Sequence, residues 1–192
     1  MYISQFLILF ELQFLDSLVE LDRVNAQAMR EKGCELCGGK LDCAHYERRP
    51  RGVKVLNRSH KRRLSFCCRD CRRRCTPASI LFLGRKVYLS IVVVLMSYLR
   101  DGRERVLVRK LSGLSGASEA TIRRWLGWWD GAVSRSDFWK MERSRFIPPL
   151  ADGHLIVSMV ERFRGSCKEF SASFGNLLKF LSPLSIPTQY PC

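Results

Sequence analysis

The stretch Gly33-Cys34-Glu35-Leu36-Cys37-Gly38-Gly39, followed about thirty residues later by Cys67-Cys68-Arg69-Asp70-Cys71, decides how this chain folds. Each part contains a Cys-x-x-Cys pair, whose tight turn places two sulfurs about 2.3 Å from one metal ion. The glycines after the first pair allow backbone amides to approach the sulfurs. Two such pairs supply the four thiolates of a tetrahedral site. The sequence therefore predicts one structural zinc ion, bound by Cys34, Cys37, Cys68 and Cys71.

The other cysteines leave further uses of sulfur open. A disulfide framework is less favoured, because the nine cysteines are an odd number and no secretory signal is recognisable. Four neighbouring side chains are alternative metal ligands, namely Cys43, His45, Cys67 and Cys75. We expect them not to bind the metal, because the two Cys-x-x-Cys pairs already complete a tetrahedral site.

The chain is strongly basic, and its positive charge is unevenly placed. Its 192 residues carry a formal net charge of +15, while the 46% of hydrophobic residues is enough to form a core. Arg48 to Arg74 contain twelve Lys and Arg residues against one acidic residue, Asp70, whereas residues 1–32 are net acidic. This concentration of charge favours nucleic acid as the partner, since each neutralised phosphate releases counterions. A solvated basic face and a membrane-surface patch are the alternatives.

The segment between the two Cys-x-x-Cys pairs is longer than a compact zinc finger requires. We predict that it forms a hairpin or loop that projects from the metal site. Pro50 and Gly52 interrupt it near its start, and residues 64–66 lead into the second pair as a short strand. The basic residues expected to bind DNA in this insert and after the second pair are Arg48, Arg49, Arg51, Lys54, Arg58, Lys61, Arg62, Arg63, Arg72, Arg73 and Arg74.

Residues 1–32 are predicted to form a helix, because their apolar residues recur at helical spacing. The positions predicted to face the core are Phe6, Leu7, Phe10, Phe14, Leu18, Leu21 and Val24. Glu11 and Asp16 interrupt the apolar run before the about 18 residues that a membrane span requires. Met29 is an alternative start, in which case the upstream segment would be a mis-called extension.

Residues 103–129 are predicted to form two helices joined by a sharp turn. The first, residues 103–114, directs Val106, Leu107 and Leu111 inward. Gly116 permits the turn, and Ser118 can cap the second helix by accepting a hydrogen bond from an exposed backbone N–H.

The second helix, residues 119–129, is predicted to read DNA. Ile122 and Trp125 face the core, whereas the arginine pair beside them faces solvent. A helix-turn-helix places its second helix in the major groove. A helical hairpin with exposed arginines is the alternative. The residues expected to contact DNA here are Ser118, Glu119, Ala120, Arg123 and Arg124.

The fold class predicted is mostly α, with a small zinc-ribbon module of β-hairpin knuckles and a helix-turn-helix. The predicted parts are an N-terminal helix (1–32), the zinc ribbon with its basic insert (33–84), the helix-turn-helix (85–130) and a C-terminal helical segment with an irregular tail (131–192). A buried helix is expected over residues 85–99, a linker over 130–150, and two closing helices over 150–163 and 167–181.

The motifs occur in a characteristic order: Cys34-x2-Cys37-Gly38-Gly39, Cys67-Cys68-Arg69-Asp70-Cys71-Arg72-Arg73-Arg74, Thr76-Pro77-Ala78-Ser79, Phe82-Leu83-Gly84-Arg85-Lys86-Val87-Tyr88 and Leu114-x-Gly116-x-Ser118-x2-Thr121-Ile122-x-Arg124-Trp125. This order resembles the zinc-ribbon and helix-turn-helix region of insertion-sequence transposases and related mobile-element proteins. The resemblance covers residues 33–130 and, more loosely, 146–183. The chain departs from the pattern at Ser115, where leucine is usual, and at Cys75, where a threonine or another small polar residue is usual.

The resemblance implies binding to transposon ends or other DNA, without catalysis. Strand transfer in this class uses three carboxylates around two metal ions, on a ribonuclease-H-like sheet. Such a core needs more than about 100 residues, and no strand-rich stretch follows residue 130. We therefore expect no catalytic domain and no enzymatic activity. The acidic residues left after residue 130 are Asp137, Glu142, Asp152, Glu161 and Glu169.

The function expected from the sequence is double-stranded DNA binding by a mobile-element protein with one structural zinc ion. A cytoplasmic, nucleoid-associated location, a transposase or recombinase partner and no membrane association accompany this expectation. The alternatives are a transcriptional regulator with the same parts, the truncated front half of a transposase, and an RNA-binding zinc ribbon.

Overall fold

The described part of this computed structural model, residues 3–84, 86–102, 104–150 and 153–186, is mostly helical with two small antiparallel sheets. The α-helices are α1 (Ile3–Leu7), α2 (Leu12–Lys32), α3 (Ser90–Asp101), α4 (Arg105–Ser115), α5 (Glu119–Trp128), α6 (Asp137–Glu142), α7 (Leu155–Ser166) and α8 (Phe170–Leu181). The strands are β1 (Leu41–Cys43), β2 (Tyr46–Glu47), β3 (Arg62–Arg63), β4 (Phe66–Cys68) and β5 (Arg74–Cys75). The predicted helical class with a small strand-containing region is confirmed.

The N-terminal segment is not the single helix that was predicted. Glu11 is extended (φ −72°, ψ 149°) and separates α1 and a short 3₁₀ turn from α2. The buried face of α2 is broader than predicted, and toward the end of the helix it contains Asp22 and Ala26. Val24, predicted to face the core, is therefore exposed. The apolar residues of this segment that are buried in the core are Phe6, Leu9, Phe14, Leu15, Leu18 and Val19.

A buried carboxylate ties α2 to the segment that follows the metal-binding region. Asp22 accepts hydrogen bonds from the Ser79 hydroxyl and from the Ile80 N–H, and it is only 5% exposed. Burial raises the pKa of Asp22, although both hydrogen bonds oppose that change. The Ser79 hydroxyl in turn accepts from the Phe82 N–H at 3.0 Å. This network orders the apolar turn of residues 79–83 against α2.

Asp22→Ala is expected to lower the free energy of unfolding by about 3 kcal/mol, because it leaves two buried donors without an acceptor. Glu20→Ala is the matched control on the same helix. It removes an exposed ion pair with Arg23 and should cost less than about 1 kcal/mol. Chemical denaturation monitored by circular dichroism measures both values. Equal, small losses for the two variants would contradict the structural role of Asp22.

The strands form two sheets, and the second Cys-x-x-Cys pair lies at the turn from β4 to β5. β4 lies between β1 and β5 in antiparallel pairing, with Cys43 opposite Phe66 and Phe66 opposite Cys75. β2 and β3 form the second sheet, in which Tyr46 lies opposite Arg63. The insert therefore begins as a hairpin, as predicted. The strand expected over residues 64–66 is displaced to β4.

The tip of the insert does not project from the metal site, contrary to the prediction. The Arg51 N–H donates to the Val87 carbonyl at 2.9 Å, and the Leu89 N–H donates to the Arg51 carbonyl at 3.3 Å. Gly52 has a φ of +104°, and a Cβ there would lie 2.6 Å from a methyl carbon of Val92. Only glycine permits this close approach. The insert is thus docked onto the helical body.

α3 is the central helix, and it packs against α4, α5, α7 and α8. All residues from Ser90 to Leu99 are buried, as predicted for a helix that is apolar nearly all round. The helix begins later than predicted, because Tyr88 and Leu89 make bridges to Arg51 and Phe82 instead. Arg85, the predicted first residue, lies outside the described residues. No described helix is long and apolar enough to cross a membrane.

The linker predicted over residues 130–150 is largely helical. A π turn (Trp129–Val133) continues α5, α6 follows with Ser136 as its cap, and a 3₁₀ turn (Arg143–Arg145) ends it. Trp129, Trp139 and Phe146 anchor this segment to the core. The two predicted closing helices are confirmed as α7 and α8. Residues 187–192, predicted to be irregular, lie outside the described residues.

Candidate metal centre and basic surfaces

The sulfurs of Cys34, Cys37, Cys68 and Cys71 converge and all lie within 4.8 Å of one another. Cys34 Sγ is 3.7 Å from Cys71 Sγ, and Cys37 Sγ is 3.5 Å from Cys68 Sγ. A tetrahedron with metal–sulfur bonds of about 2.3 Å has edges of about 3.8 Å. The four thiols that the sequence singled out are therefore geometrically suited to hold one metal ion.

The two Cys-x-x-Cys turns have the same backbone geometry. In the first, the Cys34 N–H donates to the Gly39 carbonyl at 2.9 Å, and the Gly38 N–H donates to the Cys34 carbonyl at 2.7 Å. In the second, Cys68 bonds in the same way to residues 73 and 72, at 2.9 and 3.1 Å. The turn residue is left-handed in both, with φ of +72° at Gly38 and +59° at Arg72. Arg72 adopts a conformation that is rare for residues other than glycine. This indicates that the positions of Cys68 and Cys71 depend on the geometry of the second turn.

Backbone amides stabilise the thiolate form of Cys34. The Leu36 and Cys37 N–H groups donate to the Cys34 sulfur and lower its pKa to about 6. Gly39 allows the pairs to approach, because a Cβ there would lie 2.9 Å from Cys68 Sγ. Four thiolates are soft ligands, which suit zinc or iron and exclude magnesium or calcium. Leu41 and Phe66 belong to a small apolar cluster that also contains Cys34 and Cys68.

The alternative ligands lie outside the four-sulfur group. Cys75 comes nearest, with its sulfur 4.0 Å from that of Cys34. Cys43 is exposed on β1, and the Cys67 thiol donates to the Arg72 carbonyl at 3.3 Å. Cys67 alternates with Cys68 along β4, so its side chain leaves the sheet on the opposite face.

His45 is occupied by the backbone of Ser65. Its Nδ1 lies 2.8 Å from the Ser65 carbonyl oxygen and 3.1 Å from the Ser65 nitrogen. Its ring contacts Phe66 edge to face, at 5.6 Å between centroids. The imidazole thus has a structural place beside β4, away from the four sulfurs.

Two arginines that were expected to bind DNA are structural instead. Arg63 is 2% exposed and donates to the Pro77 carbonyl at 2.6 Å, so no phosphate can reach it. Arg48 donates to the carbonyls of Gly84 and Lys86 at 3.0 and 2.7 Å, which fastens the insert to the helical body. Burial lowers the pKa of both guanidinium groups. The prediction is wrong for Arg63, while Arg48 is half-buried with its donors engaged.

Most of the other basic residues that were expected to bind DNA are exposed to solvent. Lys61 is half-buried, and Arg74 donates to the Ala44 carbonyl at 3.0 Å and lies over the Tyr46 ring. Arg73 is half-buried and has an interaction partner. The remaining basic residues predicted to bind DNA are exposed, namely Arg49, Arg51, Lys54, Arg58, Arg62 and Arg72.

The turn between α4 and α5 has the predicted geometry. Gly116 is left-handed (φ +66°), and Ser118 caps α5 by accepting from the Thr121 N–H at 3.3 Å. Ser115, the departure from the usual leucine, is buried, and its hydroxyl accepts from the Ala117 N–H at 3.3 Å. Tyr88 donates to the Gly116 carbonyl at 3.0 Å. The turn is therefore connected to the segment on which the insert docks.

α5 is amphipathic in the predicted sense. Ile122 and Trp125 are buried, and Arg123 and Arg124 are exposed. Glu119 is exposed as well, but its carboxylate pairs with Arg100 at 2.6 Å and lies 3.7 Å from Arg123. The last two predicted contacts, Ser118 and Ala120, are exposed at the start of the helix.

The sequence reasoning missed a basic face on α4. Val106 was assigned to the core but is 67% exposed, while Val108 is buried. The buried face of α4 is therefore rotated from the predicted one. Arg105 and Arg109 lie on one side of the helix, where they line a groove of about 430 Å³ with Ser118 of α5. Their i, i+4 spacing in the sequence indicates that they share one helix face. Arg103, the predicted first residue of this helix, lies outside the described residues.

Comparisons with known proteins identify no relative. No family model matches the chain, and no curated protein or solved structure matches it. The cysteine cluster and the basic surfaces are therefore the features that indicate a function.

Proposed function

We propose that this chain is a double-stranded DNA-binding protein with one structural zinc ion in a zinc ribbon. The four-cysteine cluster supports the metal, since closed Cys₄ sites of this spacing are typical of structural zinc. The ion would be held by Cys34, Cys37, Cys68 and Cys71, and it would supply folding free energy to the sheets around it. The small apolar cluster there is too limited to order the region alone.

The observation that carries the DNA-binding proposal is the outward face of α5. Two adjacent arginines lie exposed on a helix that is anchored by Ile122 and Trp125 and capped by Ser118. α4 and α5 each pack against α3 and are joined by the left-handed turn at Gly116, an arrangement compatible with a helix-turn-helix. We infer that α5 enters the major groove, where arginine makes bidentate bonds to guanine.

The docked insert supports the same proposal. The insert is held against residues 87–89 by two hydrogen bonds of the Arg51 backbone, and Tyr88 of that segment packs edge to face on Trp125 of α5 at 5.0 Å. Backbone hydrogen bonds and one ring contact thus connect the insert to the proposed reading helix. A fixed basic surface beside a reading helix is suited to binding phosphates while the helix contacts bases.

The proposed biological context is a mobile element, in which the chain would bind transposon ends with a transposase or recombinase partner. The order of the cysteine pairs, the basic insert and the two-helix turn supports this context through the resemblance described above. A transcriptional regulator would use the same surfaces, and co-transcription with a transposase or recombinase would distinguish the two.

Arg123→Ala or Arg124→Ala is expected to reduce discrimination between a selected DNA site and random duplex by about tenfold, because a bidentate arginine–guanine contact is worth about 1–3 kcal/mol. The salt dependence of binding should change little. The double change Arg49→Ala with Lys54→Ala is the matched control. It should reduce the salt slope by about two units and weaken both duplexes equally, because these residues would contact phosphates.

Affinities for both duplexes, measured by fluorescence anisotropy across a salt series, test this division. If the α5 variants lose affinity for both duplexes in parallel, α5 is not the reading helix. The zinc proposal would be unaffected by that result.

A further inference from the structure

A cavity of about 250 Å³ lies between α2 and the 3₁₀ turn Ser59–Lys61 of the insert, and its lining includes none of the four clustered cysteines and no residue of α5. One side of this cavity is apolar and the other carries three arginines. The residues that line it are Val19, Asp22, Arg23, Arg58, Ser59, Arg62, Leu64 and Leu81.

The charge of this cavity is not balanced within the described part of the chain. The side chains of Arg58 and Arg62 form no hydrogen bond or ion pair with described residues, while Arg23 pairs with the exposed Glu20. The buried carboxylate of Asp22 already accepts from Ser79 and Ile80. Like charges around one concavity repel unless an anion neutralises them, and guanidinium groups bind phosphate through paired N–H donors. The cavity is therefore suited to a phosphate group.

The apolar side and the size of the cavity limit what the phosphate carries. The aliphatic side chains of Val19, Leu64 and Leu81 form a wall that cannot satisfy further polar groups. A volume of about 250 Å³ is just below the usual range for drug-sized ligands, so one compact ring system fits and a long acyl chain does not. Unstacked nucleobases bind in this kind of setting, between apolar side chains with arginine on the phosphate.

We propose that this cavity binds one unstacked nucleotide, with its 5′-phosphate on Arg58 and Arg62 and its base against the wall of Val19, Leu64 and Leu81. The nucleotide is either free in solution or at an unpaired end of a nucleic acid. This site goes beyond duplex reading by α5, with which it shares no residue, although Arg58 and Arg62 also belong to the exposed basic residues of the insert.

The test is isothermal titration of the metal-loaded full chain with adenosine 5′-monophosphate. We expect one binding site per chain. Arg58→Ala and Arg62→Ala should each weaken the affinity about tenfold, because each removes a charge-assisted hydrogen bond. Arg30→Ala, at an exposed position of α2 outside the cavity, is the matched control and should leave the affinity unchanged. Leu64→Phe places a larger side chain in the cavity and should abolish nucleotide binding.

Adenosine and inorganic phosphate separate the two halves of the site, and both should bind at least about tenfold more weakly than the nucleotide. A duplex with one unpaired 5′-phosphorylated nucleotide identifies the source. If it displaces adenosine 5′-monophosphate and a blunt duplex does not, the site holds a nucleic-acid end. If neither duplex displaces it, the site holds a free nucleotide, and the proposal stands in that form.

Three results would overturn the proposal. They are a folded wild-type chain that binds no nucleotide, an affinity that Arg58→Ala and Arg62→Ala leave unchanged, and inorganic phosphate that binds as tightly as the nucleotide. Thermal unfolding of each variant verifies that it is folded. Arg123→Ala should bind the nucleotide normally, so failure of duplex reading and failure of this site are distinguishable.

Discussion

Cys34→Ser and Cys71→Ser are each expected to lose the metal and to unfold the strands around it. A Cys₄ site binds structural zinc with an apparent free energy of about 10–16 kcal/mol, which is available only to the folded chain. Loss of one of four ligands removes most of that free energy, and the small apolar cluster around Leu41 and Phe66 cannot replace it. Metal analysis by mass spectrometry and far-ultraviolet circular dichroism, on freshly purified reduced protein, measure both effects.

The other cysteines of the region supply matched controls. Cys43→Ser, Cys67→Ser and Cys75→Ser should each keep about one zinc ion per chain, because their sulfurs lie outside the group of four. Cys75→Ser is the most stringent of the three, since this sulfur is 4.0 Å from Cys34 Sγ. Wild-type protein that contains no metal, or a Cys75→Ser variant that loses it, would refute the ligand assignment.

A chain that begins at Met29 is expected not to fold. The removed segment contributes side chains that are wholly buried in the main core, among them Phe6, Leu9, Leu15 and Leu18. Burial of each such side chain stabilises the fold by about 1.5–3 kcal/mol. The four together contribute about 6–12 kcal/mol, which is comparable to the whole stability of a domain, about 5–15 kcal/mol. The deletion also removes Asp22, which accepts from Ser79 and Ile80. Near-ultraviolet circular dichroism and a thermal scan measure the loss.

Single substitutions on α2 control for the size of the deletion. Leu15→Ala and Leu18→Ala should each cost about 2–5 kcal/mol, whereas Val24→Ala, at an exposed position of the same helix, should change stability by less than about 0.5 kcal/mol. A truncated chain with a cooperative unfolding transition and native near-ultraviolet signal would show that α2 is dispensable. In that case the interpretation of the first 28 residues as a mis-called extension would be supported.

The four-cysteine cluster was predictable from the sequence because its geometry is local. A Cys-x-x-Cys turn brings two sulfurs together within four residues, so only the meeting of two turns had to be inferred. The cap at Ser118 and the turn at Gly116 were predictable for the same reason, since capping and left-handed turns involve neighbours along the chain.

Other features depended on contacts between distant residues. The insert was expected to project, but Gly52 allows it to pack on Val92, forty positions later in the chain. The same docking leaves Arg48 half-buried beside Gly84 and Lys86. No local pattern distinguishes Arg48 from an exposed neighbour such as Arg49, because charge and spacing are alike.

The sequence by itself determined a mostly helical chain, a four-cysteine cluster, a two-helix turn and a concentrated positive charge. Each of these follows from residue type and short-range spacing, which act before distant parts of the chain meet. Only the tertiary structure decided which positive charges remain exposed, as the contrast between Arg62 and the buried Arg63 illustrates. It also decided that α2 and the insert enclose a cavity with unbalanced charge. The physical reason is that burial depends on how elements far apart in sequence pack together, and it changes the solvation of a charge without changing the local sequence.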